Sequence, residues 1–305
     1  MAQQLHTLQN DHWQVGILPG TGASIAYGRV RHNSDWVDVL RPTDEGDYDN
    51  PSKCASFIMM PYSNRIRAAQ FRFNGQEYQL EANNQAEGVA QHGDVRRRAW
   101  QVAEADAQHI TLTIDSRDFD DINFPFAFSA RAEYRLEDDE FSMGLALKSE
   151  DSQPFPAGFG HHPYFVRYGT GASVLLEMPC EQYYEMEASL PTGAAVAIPD
   201  YLDFRVLRPL GDHVYNDLLT GRQEALTARI IYPAWKTEIA MYSDPIFEHV
   251  ILFAPEDKPF FAVEPVTNAS DGFNLYEQGV PGTGVFVLQP GATQHGEVRL
   301  QVKDT

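Results

Sequence analysis

The sequence predicts an all-β protein, a large antiparallel β-sandwich, from three observations. Short segments rich in β-branched and aromatic residues recur along the chain, and Gly, Pro, Asp or Asn bounds them. No stretch of twelve residues keeps an apolar stripe at helical spacing, and segment 181–187 is expected to form at most a short turn of helix. Many strands without crossover helices pair antiparallel and pack sheet against sheet.

The clearest single element is a β-hairpin. Residues 71–73 and 76–80 alternate polar and apolar side chains, and Asn74-Gly75 lies between them. Asn-Gly favours a type I′ turn because both central positions need positive φ. The other predicted strands, including a second hairpin around the acidic turn 137–139, are 13–18, 110–114, 127–136, 140–148, 174–178, 227–232, 237–242, 249–253, 260–263, 284–288 and 297–302.

Composition supports one large folded unit. The chain has 305 residues, of which 43% are hydrophobic and 12% aromatic, enough for a sizeable core. It contains no repeat of fixed period, no low-complexity run and no segment typical of a linker. All-β folds often exceed two hundred residues as one unit, so we expect a single domain over residues 1–305.

The charge balance restricts the partners. The net charge is −20, from 43 acidic and 23 basic residues, so binding to nucleic acid or anionic membrane is disfavoured. No run of eighteen apolar residues predicts a membrane span, and the N-terminus lacks the basic and apolar regions of a signal peptide. Cys54 and Cys180 fit no metal or redox spacing and are expected to be buried, reduced thiols. These features indicate a cytoplasmic protein.

A histidine in an aromatic segment is the first candidate for catalysis. In His161-His162-Pro163-Tyr164-Phe165, strand alternation would turn only one histidine into a given pocket. Pro163 cannot donate to a β-ladder, which places the segment at an edge, a bulge or a rim. An imidazole beside aromatic rings suits a sugar ligand, because rings stack on apolar sugar faces. The alternative is a structural histidine in the core.

Glu264 is the second candidate. It follows the apolar run 260–263 and precedes Pro265, so a strand would deliver a carboxylate to its end. Apolar surroundings raise the pKa of a carboxyl and make it a better base near neutrality. The alternative is an exposed acid at a strand end. The polar residues at 268, 271 and 274 predict turn structure beyond it.

Further polar residues are binding candidates. Arg65, preceded by Asn64, offers a rigid fork that can hold two vicinal hydroxyls, although a surface arginine is the alternative. His92 is followed by Gly93, which allows close backbone approach. Segment 96–98, three arginines, is interpreted as a solvated face. The acidic loops lack the oxygen spacing of a calcium site, and no His or Cys spacing suggests zinc, so no metal is expected.

In order and spacing, these blocks resemble the aldose 1-epimerase (galactose mutarotase) family. The matching blocks are Asn64-Arg65-Ile66 with the hairpin after it, His92-Gly93, His162-Pro163-Tyr164-Phe165, Asp212-His213-x-Tyr215 and Glu264-Pro265. The resemblance implies the β-super-sandwich of that family and a reaction without metal or organic cofactor. It also implies a small-molecule monosaccharide as ligand, bound by a monomer or homodimer.

The resemblance implies a role for each matched residue. Glu264 would be the general base and His162 the general acid in interconverting the α and β anomers of an aldose. The two are expected on opposite sides of the sugar ring. Sugar-binding roles fall to Asn64, Arg65, His92, Tyr164 and Asp212, of which Asn64 and Tyr164 would shape the pocket.

Some positions depart from the family pattern and leave the sugar open. Gln91 and Asp94 replace an apolar residue and a second glycine around His92, and Glu248 or His249 stands where galactose-type members have glutamine. Three other functions remain: glycoside hydrolysis by Asp212 and Glu264, a non-catalytic carbohydrate-binding or sensor protein, and a sugar-phosphate mutarotase. The last would need a basic pocket that the acidic composition does not indicate.

Overall fold

The computed structural model describes residues 4–167 and 173–304. Strands β1 to β29 are, in order, His6–Gln9, Trp13–Leu18, Ser24–His32, Asp35–Asp38, Ile58–Met59, Arg65–Ile66, Gln70–Phe73, Gln76–Gln79, Ala90–Gln91, Gln101–Ala105, His109–Asp115, Phe128–Glu137, Glu140–Ser149, Phe155–Ala157, Gly160–His161, Tyr164–Val166, Leu175–Glu177, Gln182–Tyr183, Met186–Glu187, Leu190–Pro191, Val196–Ala197, Arg208–Pro209, Tyr215–Thr220, Leu226–Tyr232, Thr237–Ser243, His249–Ala254, Phe260–Val266, Phe286–Leu288 and Thr293–Asp304. Helix α1 is Gly272–Glu277.

Two large antiparallel sheets dominate the molecule. The nine-stranded sheet has the order β10-β11-β12-β13-β29-β25-β24-β17-β22. The eight-stranded sheet has the order β21-β18-β23-β26-β27-β15-β5, and β16 also pairs with β27. A smaller sheet, β1-β2-β3-β4, is formed by the N-terminal strands. Every strand pair between described residues is antiparallel, as expected for sheets without crossover helices.

The predicted hairpins are present. β7 and β8 pair across Asn74 and Gly75, whose φ values of 51° and 74° are those of a type I′ turn. β12 and β13 form a ladder of ten residue pairs that closes at Glu137 and Glu140, so the acidic turn joins them. Along β12 the side chains alternate between buried and more exposed, the pattern of a strand with one face on the core.

Several sequence expectations differ from the structure. Segment 181–187, expected to be at most a helical turn, contributes β18 and β19, and the α-helix of the described chain is α1 instead. Strand β3 was not anticipated, because most of its residues are buried on both faces and show no polar–apolar alternation. It also contains Gly28, where a Cβ would lie 2.7 Å from Leu40 Cδ1, so close packing there requires glycine.

The core lies between the sheets and leaves one face of the eight-stranded sheet for a cleft. Along β27, Phe261 and Val263 belong to the main core, whereas Ala262 and Val266 belong to a separate small cluster on the other face. The free thiols Cys54 and Cys180 are both buried, as predicted. Of the helices in the described residues, none is long and apolar enough to cross a membrane.

Candidate active site

A polar cavity of about 200 Å³ opens on the outer face of the eight-stranded sheet. This is below the roughly 300–1,000 Å³ typical of pockets for drug-sized ligands, so a single small polar molecule fits it best. Strands β26 and β27 form its floor, and the segments around Phe57, Asn64 and His92 form its walls. Six of the seven predicted site residues line it: Asn64, Arg65, His92, His162, Tyr164 and Glu264.

Glu264 lies within β27 and not at its end as expected, and strand alternation turns its side chain to the cavity. On β27 it shares a face with Ala262 and Val266, while Val263 points into the core. Only 2% of Glu264 is exposed, and its Oε2 atom is buried with no hydrogen-bond partner. Burial raises the pKa of Glu264 well above its usual range, and the nearby Arg65 guanidinium opposes this rise only in part.

The two adjacent histidines face opposite ways, as alternation predicted. His161 turns into the core, where its Nε2 lies 3.3 Å from the Met143 carbonyl oxygen. His162 turns into the cavity and contacts two aromatic rings at tilted angles, with its ring centroid 4.5 Å from that of Phe57 and 4.4 Å from that of Tyr164. These two contacts orient the His162 imidazole.

His162 and Glu264 contact each other directly. His162 Nε2 lies 3.1 Å from Glu264 Oε1, and the Tyr164 hydroxyl lies 3.4 Å from the same nitrogen. The expectation that acid and base lie on opposite sides of a sugar ring is therefore wrong. His162 lies in the segment between β15 and β16, and both strands pair with β27, so it lies beside Glu264 on the same side of the cavity.

Burial drives both members of the pair toward their neutral forms. It lowers the pKa of His162 well below its usual value, and the positive charges of Arg41 and Arg96 add to this effect. Together with the raised pKa of Glu264, this favours a pair that holds one proton over a wide pH range.

A short ladder brings the Asn64-Arg65 and His92 blocks together. β6 pairs with β9 so that Arg65 lies opposite Gln91, and the His92 amide donates to the Asn64 carbonyl at 2.7 Å. Gly93 then passes so close to Met60 that a Cβ would lie 1.9 Å from the Met60 carbonyl oxygen. With φ at +63°, this position requires glycine.

Neighbouring side chains fix the polar groups of this wall. Arg65 Nε and Nη2 donate to the two oxygens of Glu87 at 2.6 and 3.2 Å, so Nη1 is not used in this pair. The Gln91 amide nitrogen donates to His92 Nε2 at 3.0 Å, while its oxygen accepts from Asn84. Because burial keeps the pKa of His92 well below its usual value, the ring is neutral and its proton is on Nδ1, which is buried without a partner.

The seventh predicted residue does not reach the site. Asp212 is exposed in the turn before β23 and does not line the cavity, whereas Asn216, on β23 itself, does. Neither Glu248 nor His249 lines it either. Glu248 is exposed, and His249 is buried with its Nδ1 2.8 Å from the Thr267 carbonyl oxygen. From β26, the residues that face the cavity are Ile251 and Phe253.

Sequence reasoning also missed residues that the structure places in the cavity: Ser52, Phe57, Gln91 (noted only as a departure), Arg96, Asn216, Ile251 and Phe253. The interpretation of segment 96–98 as a solvated face is wrong for Arg96. A 3₁₀ turn, Val95–Arg97, replaces the assumed strand, so Arg96 is buried while Arg97 is exposed. Ile251 and Phe253 could have been predicted to share one face, because they are two residues apart on β26 and side chains alternate along a strand.

The fold therefore presents a buried Glu–His pair in a small polar cavity of a β-sandwich, an arrangement chemically able to exchange a proton with a small polar ligand. Within the described ranges, no group of three His, Cys, Asp or Glu residues could hold a metal ion. The family model for aldose 1-epimerase matches residues 4–301, so the chain belongs to the aldose 1-epimerase family.

Individual relatives are distant. The uncharacterized protein YphB of Escherichia coli (strain K12) is 25% identical over 277 residues, 88% of this chain and 90% of that protein. The aldose 1-epimerase of the same strain is 26% identical over 224 residues, 70% of this chain and 64% of that protein. A crystal structure of the GalM/aldose epimerase homologue from C. elegans has a TM-score of 0.85 at 19% identity, with both chains covered completely. The predicted super-sandwich fold is confirmed.

Proposed function

We propose that this protein is a mutarotase that interconverts the α and β anomers of a monosaccharide. The observation that carries the proposal is the His162–Glu264 pair, with Nε2 3.1 Å from Oε1 and with Oε2 buried and unpartnered in the cavity. An unpartnered buried carboxyl oxygen is costly unless a ligand group fills its hydrogen-bonding capacity. The anomeric hydroxyl of a sugar is such a group.

The reaction needs two proton transfers, one at each of the two oxygens bonded to the anomeric carbon. Glu264 takes the proton of the anomeric hydroxyl while His162 protonates the ring oxygen, and the bond between C1 and the ring oxygen breaks. The open-chain aldehyde turns about the C1–C2 bond. Glu264 then returns its proton to the carbonyl oxygen while His162 takes the proton of the attacking hydroxyl, which closes the ring on the other face.

Neighbouring positions for acid and base suit this chemistry. The hydroxyl oxygen and the ring oxygen are bonded to the same carbon, so two groups in mutual contact reach both. Transfer of the shared proton across the 3.1 Å contact gives Glu264 carboxylate with His162 imidazolium, and ring opening returns the pair to Glu264 carboxylic acid with neutral His162. Both states hold one proton, and closure regenerates the first. Each positioned group typically contributes roughly 10²- to 10⁴-fold to the rate.

The other cavity residues would position the sugar. Arg65 Nη1 and the Nδ1–H of His92 are donors for ring hydroxyls, while Asn64 and Tyr164 shape the walls. Ile251 and Phe253 present an apolar surface to the apolar face of the ring. The bond to Glu87 fixes the orientation of the Arg65 guanidinium and leaves Nη1 outside that pair, so Arg65 keeps its proposed sugar-binding role.

The two alternatives of other classes are less well supported. Glycoside hydrolysis needs paired carboxylates, and Glu264 is the one acidic residue among the described residues that line the cavity. A non-catalytic sugar-binding protein would not need an acid–base pair in which the pKa of Glu264 is raised and that of His162 is lowered, so that the two share one proton. The single domain over residues 1–305 and the cytoplasmic location remain predictions from the sequence.

Polarimetry provides the direct test. Freshly dissolved α-anomers of glucose, galactose, xylose and arabinose, and the anionic sugars glucuronate and glucose 6-phosphate, are followed with and without the protein in the presence of EDTA. We expect faster mutarotation of at least one sugar. If none is accelerated but some bind, the non-catalytic reading replaces this one.

The pH dependence of kcat/KM should be bell-shaped with a broad optimum. The one-proton pair is lost on the acidic side when His162 takes up a proton, and burial lowers that pKa below its usual value. It is lost on the alkaline side when Glu264 releases its proton, and burial raises that pKa. A profile with only an acidic limb near pH 4–5, the ordinary carboxyl range, would contradict a shared proton.

A further inference from the structure

Arg96 is a buried cation without a counter-ion in the wall of the cavity. Only 6% of the residue is exposed, and its Nε atom is buried without a hydrogen-bond partner. Its guanidinium carbon lies 5.1 Å from the centre of the Phe57 ring. Of its acidic neighbours, Asp94 is bonded to Arg98 at 2.6 Å, and no described carboxylate forms an ion pair with Arg96.

Other charges in the cavity do not compensate for Arg96. Arg65 is neutralised by its own bidentate pair with Glu87. Glu264, whose raised pKa favours the protonated acid, contacts His162 instead. Arg41, which does not line the cavity but whose charge acts on His162, has its guanidinium carbon 3.9 Å from the centre of the Tyr164 ring and donates to the Ser52 carbonyl at 3.0 Å. The cavity is therefore positive in a chain whose net charge is −20.

Burying a guanidinium without an anion is unfavourable, and burial lowers the pKa of Arg96 to about 10. The chain has 43 acidic residues, so the lack of a partner at this position is not due to a shortage of carboxylates. Uncompensated charge at a functional site is typical of groups whose partner arrives with the ligand. A neutral hydroxyl could accept a hydrogen bond from Arg96 but would not balance its charge.

We propose that Arg96 binds an anionic group of the substrate, so that the substrate is an aldose that carries a carboxylate or a phosphate. This inference rests on the proposed mutarotase function, because it places the anomeric carbon at His162 and Glu264. Phe57 contacts both ends, with its ring 4.5 Å from His162 and beneath the Arg96 guanidinium. One small molecule can therefore reach the acid–base pair and Arg96 together.

The test compares glucose, glucuronate and glucose 6-phosphate as substrates of the wild-type protein and three variants. We expect kcat/KM to be about tenfold or more higher for one anionic sugar than for glucose, as for a charge-assisted hydrogen bond. Arg96→Gln should remove this preference by raising KM, and Arg96→Lys should keep part of it. Arg97→Gln, the exposed neighbour, should change nothing. Which anionic sugar is preferred distinguishes carboxylate from phosphate.

Stability and binding separate this inference from the proposed function. Without ligand, Arg96→Gln should raise the Tm by about 2 °C or more, because a buried uncompensated charge is removed. The preferred anionic sugar should raise the wild-type Tm more than glucose does, and Arg96→Gln should abolish the difference. A wild-type protein that prefers glucose would overturn the anion site while leaving mutarotation intact. So would an Arg96→Gln protein whose kcat/KM falls equally for charged and neutral sugars. If no sugar is turned over, the Tm shifts alone decide whether Arg96 binds an anion.

Discussion

Glu264→Gln is expected to lower kcat for mutarotation by roughly 10²-fold or more, without loss of the fold. Glutamine keeps the volume and can still hydrogen-bond to His162 Nε2, which lies 3.1 Å from Oε1 in the parent. It cannot accept the anomeric proton, so ring opening loses its base. The substitution also removes a buried ionisable group, so stability should not fall.

The measurement is steady-state mutarotation of the preferred sugar, with circular dichroism to show that the fold is retained. Glu248→Gln is the matched control, because Glu248 is exposed and lies outside the cavity. The variant should still bind sugar through Arg65 and His92. Near-native turnover by folded Glu264→Gln protein would remove Glu264 from the mechanism.

Period-two alternation made much of this site predictable. For the adjacent histidines it predicted that only one enters the pocket, and in the structure His161 faces the core while His162 faces the cavity. The Asn74-Gly75 turn was equally readable, because few residue pairs adopt positive φ twice in succession. Each of these depends on residues that are close in sequence.

Features that depend on distant residues could not be predicted. The contact between His162 and Glu264 depends on the pairing of β15 with β27, about one hundred residues apart in sequence. Arg96 looked like part of a solvated basic run, and only its 3₁₀ turn against Phe57 reveals that it is buried. Asp212 matched a family motif by position, but it lies in the turn before β23. Asn216, on β23 itself, lines the cavity instead.

The electrostatics of the cavity follow from its location on the sheet. Aromatic rings and apolar strand residues exclude water from His162 and Glu264. This lowers the pKa of His162 and raises that of Glu264, so the neutral form of each is favoured. The same exclusion leaves Arg96 without solvent compensation. The exclusion of water therefore lets the pair share a proton and makes the cavity sensitive to the charge of its ligand.

His162→Asn is expected to lower kcat by roughly 10²-fold or more as well, because the ring oxygen loses its proton donor. Asparagine is smaller than the imidazole that contacts Phe57 and Tyr164, and it can still accept a hydrogen bond from protonated Glu264. The exposed His213→Asn is the matched control. Near-native turnover by a folded His162→Asn protein would exclude His162 as the acid.

The double variant His162→Asn/Glu264→Gln tests whether the two residues act as one unit. Because breaking the bond between C1 and the ring oxygen requires both proton transfers, either single change already disables the step. We therefore expect the double variant to lose much less than the product of the two single losses. Full multiplication of the losses would mean that the residues act independently, in which case the 3.1 Å contact between them has no part in turnover.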